Sequence, residues 1–132
     1  MGLEQLKKLP TFIEKRRAVS DHYDERLKNL GWLDTPAPLK DYQTNSYYFY
    51  PVQTHADIRD DLAKHLRENG IYTTYRYFPL HRVKIYQATG EFPNADWAAN
   101  HTLNLPIHQA LTSSEVEFIC DKIIEFGKIH NL

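Results

Sequence analysis

The sequence has few glycines and a single cysteine. Its five glycines stand apart from one another among the 132 residues, at positions 2, 31, 70, 90 and 127. Glycine-rich phosphate loops need glycines close together in the chain, so a Walker loop and a dinucleotide-binding fingerprint are both excluded. The lone Cys120 has no second cysteine for an internal disulfide, which favours a reducing, cytoplasmic environment.

An excess of charge of one sign is missing as well. Sixteen Lys and Arg residues against 17 Asp and Glu residues give a net charge of −1, without the basic surplus that is typical of nucleic-acid-binding proteins. No run approaches the roughly 18 apolar residues of a membrane-spanning helix, and the N-terminus has no signal-peptide pattern. We therefore expect neither nucleic acid nor membrane among the partners of this chain.

Histidine is plentiful, but the seven His residues form no recognisable metal-binding pattern. They include no His-Glu-x-x-His motif, no pair four residues apart and no grouping with a second cysteine, so we expect no metal site. Cys120 follows Ile119 within an amphipathic helical pattern, where a small buried hydrophobe is a better interpretation than a nucleophile.

The composition is that of an ordinary globular domain, with 42% hydrophobic and 13% aromatic residues, enough to form one core without disulfides or metals. A helical stripe of apolar residues predicts a helix over residues 1–31, kinked or restarted at Pro10 and closed by Gly31. The stripe begins with Leu3, Leu6, Leu9 and Ile13.

The remaining elements follow from aromatic and helical patterns. Beyond a proline-containing spacer at 34–43, strands are predicted over 46–52, 71–78 and 102–105. Helices are predicted after Thr54 and after Thr112, each with an acidic residue three positions later as in a capping box, and over 92–100. This order is typical of an α+β (α/β two-layer) domain, in which helices cover a small sheet.

The stretch from Tyr75 to His81 places chemically useful side chains where the second predicted strand runs into a loop. Arg76 offers a fork for phosphate or carboxylate, and Tyr77 and His81 can bond to sugar hydroxyls. The structural alternative is a set of edge-strand aromatics with a capping histidine. Asn45 and Ser46, at the start of the first predicted strand, are weaker candidates, because strand capping explains them more simply.

Several blocks of the sequence, in order, match one family. They are residues 2–17, Tyr23-Asp24, Asn45-Ser46-Tyr47, Tyr77-x-Pro79-Leu80-His81, and Leu103-x-Leu105-Pro106-Ile107-His108 with the Thr112 capping box behind it. Together they resemble the C-terminal part of the DegT/DnrJ/StrS family, which comprises pyridoxal-phosphate-dependent aminotransferases that act on nucleotide-linked keto sugars.

The resemblance covers nearly the whole chain and implies the small C-terminal domain of a fold-type-I aminotransferase. It implies a single domain over residues 1–132, with a linking helix at 1–31 and a sheet-and-helix body at 44–132. In that family a large N-terminal domain holds the cofactor through a lysine in a Ser-x-x-Lys setting. None of the nine lysines here has that setting. We therefore expect a fragment that lacks the cofactor-binding domain, carries no catalytic residue, binds no pyridoxal phosphate and is inactive alone.

The resemblance also implies partners. In the full-length parent, which would carry pyridoxal phosphate, the stretch ending at His81 would line the cleft for a nucleotide-sugar substrate. We expect His81 to contact the substrate first, with Arg76 and Tyr77 next, and Asn45 and Ser46 as weaker contacts. The apolar N-terminal stripe would meet either the missing large domain or another copy of the chain. The alternative function is a free-standing interaction or oligomerisation module without catalysis.

Overall fold

Four helices pack with a small antiparallel sheet in this protein. A computed structural model describes residues 2–132. The helices are α1 (Gly2–Leu27), α2 (Ala56–Glu68), α3 (Pro93–His101) and α4 (Ser113–His130), and the strands are β1 (Leu33–Asp34), β2 (Tyr50–Thr54) and β3 (Thr102–Leu105). Two short 3-10 turns, Leu80–Arg82 and Lys84–Tyr86, lie between α2 and α3.

The strands lie in the order β1-β2-β3, and both neighbouring pairs are antiparallel. Tyr50 pairs with Leu105 and Val52 with Leu103, so the buried residues of β2 and β3 share a face. A small sheet with helices against it confirms the predicted α+β class.

Two tyrosines form the polar part of the core between α1 and the sheet. The rings of Tyr23 and Tyr50 lie 4.8 Å apart. The Tyr23 hydroxyl donates to the Pro106 carbonyl at 2.9 Å, and the Tyr50 hydroxyl donates to Asp24 Oδ1 at 2.6 Å. Burial raises the pKa of both phenols above the ordinary value of 10.0. Both hydroxyls therefore stay protonated and available as donors inside the core.

The first helix is shorter than predicted. Pro10 lies inside it, so the helix is not restarted there, and α1 ends at Leu27 instead of reaching Gly31. The chain turns after Leu27 because Trp32 and Leu33 are drawn into the core. Leu33 is buried, and the Trp32 ring packs 5.8 Å from Phe126 of α4.

Two of the predicted strands are wrong in their extent. The first begins at Tyr50, four residues later than expected, and the segment predicted as a strand over 71–78 pairs only at Thr74, which bridges Asn104. The spacer, by contrast, contributes Asp34 to β1. The segment after Thr74 leaves the edge of the sheet, and its Tyr77 ring packs beside Phe49 instead.

The two predicted capping boxes have different outcomes. At α4 the box is present, since the Thr112 hydroxyl accepts from the Glu115 amide and the Glu115 carboxylate accepts from the Thr112 amide. At α2 it is absent, because Thr54 ends β2 and its hydroxyl donates to the Trp32 carbonyl at 3.0 Å. His55 takes the N-cap position there without a side-chain bond. Strand β3 over 102–105 is confirmed, and α3 lies within one residue of its prediction.

No helix of residues 2–132 combines the length and the apolar character that a membrane crossing requires. Over the same residues, no three side chains of His, Cys, Asp or Glu come together as metal ligands.

Candidate functional site

The candidate site centres on one stretch of the chain, residues 75–82 (the 75–82 segment). Asn104 of β3 anchors the start of this segment. The backbones of Thr74 and Asn104 exchange two hydrogen bonds, at 3.2 and 2.9 Å, and the buried Asn104 side chain donates a third to the Thr74 carbonyl at 3.1 Å. From this anchor the chain runs outward through exposed Tyr75, Arg76 and Tyr77. One residue at the sheet edge therefore fixes where the whole segment begins.

His81 is held at the far end of the segment by α3. Its Nε2 lies 2.9 Å from Asp96 Oδ1, and its ring stacks on Phe92 with centroids 4.8 Å apart. Arg82 forms an ion pair with the same carboxylate. Because a carboxylate only accepts hydrogen bonds, Nε2 carries the proton in this contact. His81 is thus packed in place, with 16% of its side chain exposed.

The neighbours of Asp96 lower the pKa of its carboxyl group. Partial desolvation acts to raise its pKa, but hydrogen bonds from Arg82 and His81 outweigh that effect and hold the pKa below the ordinary value of 3.8. At neutral pH Asp96 is therefore an anion that balances part of the positive charge of the segment.

Arg76 and Tyr77 line a cavity of about 380 Å³, the arginine cavity, between the 75–82 segment, α2 and the end of α3. Arg59 and Arg82 line it as well. His81 does not line this cavity, so the structure brings together two of the three main predicted residues and sets the third beside them.

A second opening, the aromatic groove, has a volume of about 610 Å³ and also has Arg76 in its wall. Tyr48, Phe49 and Tyr72 supply aromatic surface to the groove. The Phe49 ring lies 5.9 Å from Tyr77 and 5.8 Å from the Arg76 guanidinium carbon. Arg76 therefore lies between the two openings.

Asn45 and Ser46 lie apart from this arrangement. Both are exposed, neither lines the arginine cavity or the aromatic groove, and Asn45 Oδ1 accepts a hydrogen bond from the Tyr47 amide at 2.7 Å. They were predicted at the start of a strand, which is wrong because β2 begins at Tyr50.

Three residues of the site were missed from the sequence: Arg59, Arg82 and Asp96. Arg82 adjoins His81 and could have been included on that ground. Arg59 and Asp96 come from α2 and α3, and nothing in their local sequence distinguishes them from solvent-facing helix residues.

The pyridoxal phosphate implied by the family resemblance does not fit the residues described here. A Schiff base needs a lysine amine within the site. No lysine of residues 2–132 lines the arginine cavity or the aromatic groove, and Lys7 and Lys122 pair with acidic neighbours on helix surfaces.

Comparison with known proteins identifies the relatives of this sequence. A model of the DegT/DnrJ/EryC1/StrS aminotransferase family matches residues 1–124. The dTDP-4-dehydro-2,3,6-trideoxy-D-glucose 4-aminotransferase of Saccharopolyspora spinosa is 43% identical over 122 residues, which cover 92% of this chain and 32% of that protein. A UDP-4-amino-4,6-dideoxy-N-acetyl-beta-L-altrosamine transaminase of Campylobacter jejuni is 28% identical, with 93% and 34% covered.

Solved structures agree with these relatives. The aminotransferase TlmJ from Streptoalloteichus hindustanus superposes with a TM-score of 0.90 at 44% identity, over 92% of this chain and 33% of that chain. The chain thus spans about a third of the length of the proteins that it matches, in keeping with the predicted small domain of a larger aminotransferase.

Proposed function

Since the chain belongs to the DegT/DnrJ/EryC1/StrS aminotransferase family, we propose that it forms one wall of the substrate cleft in an enzyme that transfers an amino group to a nucleotide-linked keto sugar. The observation that carries the proposal is the 43% identity to an enzyme named for a dTDP-linked keto sugar. In the intact enzyme, pyridoxal phosphate supplies the electron sink for amino transfer when bound. We propose that residues outside this chain hold it.

The 75–82 segment is the part of the chain that we assign to the substrate. Arg76 and Tyr77 are exposed and line the arginine cavity, which supports a direct contact. His81 is fixed against Asp96 beside them, and its Nδ1 is the ring nitrogen left for a substrate hydroxyl. Asn45 and Ser46 remain weaker candidates.

The test is a hybrid enzyme. The part of the Saccharopolyspora relative that this chain does not match is joined to the N-terminus of the chain, and amino transfer from glutamate to the dTDP-linked keto sugar is measured. We expect activity from the hybrid and none from the chain alone. Arg76→Ala and His81→Ala in the hybrid should raise KM, whereas Arg17→Ala, on the exposed surface of α1, should not. If the cofactor-loaded hybrid has the same KM with and without each of the two site substitutions, the proposal is contradicted.

A second candidate function rests on α1. Leu3, Leu6 and Leu9 are 69%, 63% and 40% exposed, which favours a docking surface for the large domain or for another copy of the chain. This interaction role is compatible with the substrate role. It stands alone as the function if the hybrid enzyme is inactive while the chain still associates.

A further inference from the structure

Both tryptophans of the chain, Trp32 and Trp97, line one further cavity of about 240 Å³, the tryptophan cavity. This cavity lies between the β1 edge of the sheet and α3. Asp34 of β1 and Gln53 of β2 line one side, and Trp97 of α3 lines the other. No lining residue is shared with the arginine cavity or the aromatic groove. The tryptophan cavity is therefore separate from the 75–82 segment and from the proposed function.

Trp97 supplies an exposed aromatic face to this cavity. Its ring stacks on His101 with centroids 4.4 Å apart and an angle of 13° between the planes, and the residue is 49% exposed. His101 Nδ1 donates to the Trp97 carbonyl at 2.8 Å, which leaves Nε2 of the same ring as an acceptor. The indole is thus supported on one face and accessible to a ligand. Tryptophan is the best aromatic partner for a cation.

Asp34 supplies a negative charge beside the amide of Gln53. The two residues lie directly opposite each other in the antiparallel pair of β1 and β2, where facing side chains have Cβ atoms about 4.5–5.5 Å apart. Their neighbours Leu33 and Thr54 are the buried residues of that pair, so Asp34 and Gln53 share the face away from the core. Asp34 forms no ion pair with any residue from 2 to 132.

The charge around the cavity selects the class of ligand. The lining includes no lysine and no arginine, and Asp34 is its one carboxylate. A carboxylate without a basic partner repels phosphates and other anions. A metal ion lacks a ligand set, because no three side chains of His, Cys, Asp or Glu come together for one over residues 2–132. An organic cation satisfies both the carboxylate and the indole face.

Size and shape favour a guanidinium group among organic cations. The volume of about 240 Å³ lies below the roughly 300–1,000 Å³ of most small-molecule sites, so the cavity suits a group the size of one side chain. A guanidinium is planar and stacks on an aromatic face, and its five N–H donors can reach several acceptors at once. Asp34, Gln53 and His101 offer such acceptors. An ammonium is a more strongly hydrated point charge that does not stack.

We propose that the tryptophan cavity binds a guanidinium group, which stacks on Trp97 and pairs with the Asp34 carboxylate. The Gln53 amide oxygen and His101 Nε2 accept its remaining hydrogen bonds. The group belongs either to a small guanidinium compound or to an arginine side chain of another protein, since the chemistry of recognition is the same. This site goes beyond the proposed function, because none of its residues belongs to the segment assigned to the substrate.

The test is a titration of the full 132-residue chain, labelled with 15N and followed by NMR. We expect N-acetylarginine amide to shift the indole N–H signal of Trp97, and to bind at least about tenfold more tightly than the uncharged N-acetylcitrulline amide. Equal affinity for the citrulline compound, or for methyl glucoside, would overturn the assignment to a cation. A Trp97 signal that stays in place at saturating arginine compound would overturn the site.

Variants locate the site, with binding followed by the backbone amide signal of Gln53. Trp97→Ala and Asp34→Asn should each weaken binding of N-acetylarginine amide about tenfold or more, since one removes the stacking face and the other the charge. The matched controls are Phe118→Ala and Asp41→Asn, at an exposed aromatic and an exposed acidic position outside the cavity, and both should leave binding unchanged. Full-strength binding by folded Asp34→Asn would sink the proposal.

Two further ligands identify the kind of cation and its source. N-acetyllysine amide should bind several-fold more weakly than the arginine compound, and equal affinity would overturn the guanidinium assignment. Methylguanidinium and a blocked Gly-Arg-Gly peptide should both bind. Tighter binding of the peptide supports an arginine side chain of a partner protein, and equal affinity supports a small guanidinium compound.

Discussion

Asp96 is the residue that ties the 75–82 segment to α3. It accepts from His81 and Arg82 at once, and the ring of His81 is further held by stacking on Phe92. A histidine fixed at one nitrogen presents the other in a defined direction, which is what recognition of a hydroxyl requires. The sequence identified His81 as a candidate but not its partner, because Asp96 is 15 residues away and reaches it only through the fold.

The first prediction concerns Asp96→Asn. Because the native pKa of this carboxyl lies below 3.8, its contribution to stability is fully present above pH 3.8 and is lost as pH falls through the native pKa. The variant should therefore unfold at lower urea than the parent near neutral pH, and the gap should shrink as pH falls toward about 3. Urea unfolding over that range measures it.

The control for this experiment is Asp41→Asn, at an exposed position, which should change stability little at any pH. A constant difference between Asp96→Asn and the parent from neutral pH to about pH 3 would show that the ion pairs do not stabilise the fold.

The second prediction concerns Cys120, whose burial in α4 confirms its interpretation as a small hydrophobe. Burial, with a smaller contribution from Glu117, raises the pKa of its thiol from 9.0 to about 12. The native thiol should thus react with a disulfide reagent at pH 8 at least about tenfold more slowly than the thiol of the urea-unfolded chain, because less of it is thiolate and it is buried. Stopped-flow colorimetry compares the two, and equal rates would contradict the buried position.

Among the elements, those marked by several independent signals were predicted well. Helix α4 combines an apolar stripe with the Thr112 box, and both signals act locally, within a few residues. The 71–78 segment carried one signal only, its β-branched and aromatic composition. That composition describes a fit to a half-buried surface and does not supply a partner strand. The segment pairs with the sheet only at Thr74, and beyond it the Tyr77 ring packs beside Phe49.

Two further element errors have tertiary causes. A two-residue strand such as β1 is too short to show any periodicity, and it exists because Leu33 completes the core. Thr54 had the residue pattern of a capping box, but its hydroxyl donates a hydrogen bond to the Trp32 carbonyl instead. In both cases a contact across the fold outweighed a local preference.

The third prediction tests the cap of α4. Thr112→Ala removes the acceptor for the Glu115 amide and should lower the free energy of unfolding by about 1 kcal/mol. Ser113→Ala is the matched control, since the neighbouring exposed residue should cost roughly 0.5 kcal/mol or less. Equal losses in the two variants, measured by chemical unfolding, would show that the box does not stabilise the helix.

For the whole molecule, α1 has two unlike halves. Its second half carries the buried residues of the helix, such as Tyr23 and Leu27, and it contacts α4 through Arg26, which forms ion pairs with Glu117 and Asp121 at 2.9 and 2.8 Å. Its first half contributes no buried residue from positions 2–17. Isolated helices of that length are marginal in water. A long helix with an unpacked apolar stripe is therefore consistent with a linking role within a larger assembly.

The fourth prediction follows from that stripe. Replacing Leu3 and Leu6 with Glu should change the free energy of unfolding by less than about 0.5 kcal/mol, because neither side chain touches the core. The same change should abolish concentration-dependent self-association, which each buried leucine would favour by roughly 1.5–3 kcal/mol. Sedimentation equilibrium over a wide concentration range measures the association, and urea unfolding measures the stability.

The matched control for the stripe is Leu62→Ala, at a fully buried position in α2. It should cost about 2–5 kcal/mol of stability while leaving the association of the folded chain unchanged, so the two variants separate folding from docking. A parent chain that stays monomeric at every concentration would reject self-association. The stripe would then be assigned to the large domain, which is tested by adding the unmatched part of the Saccharopolyspora relative as a separate chain.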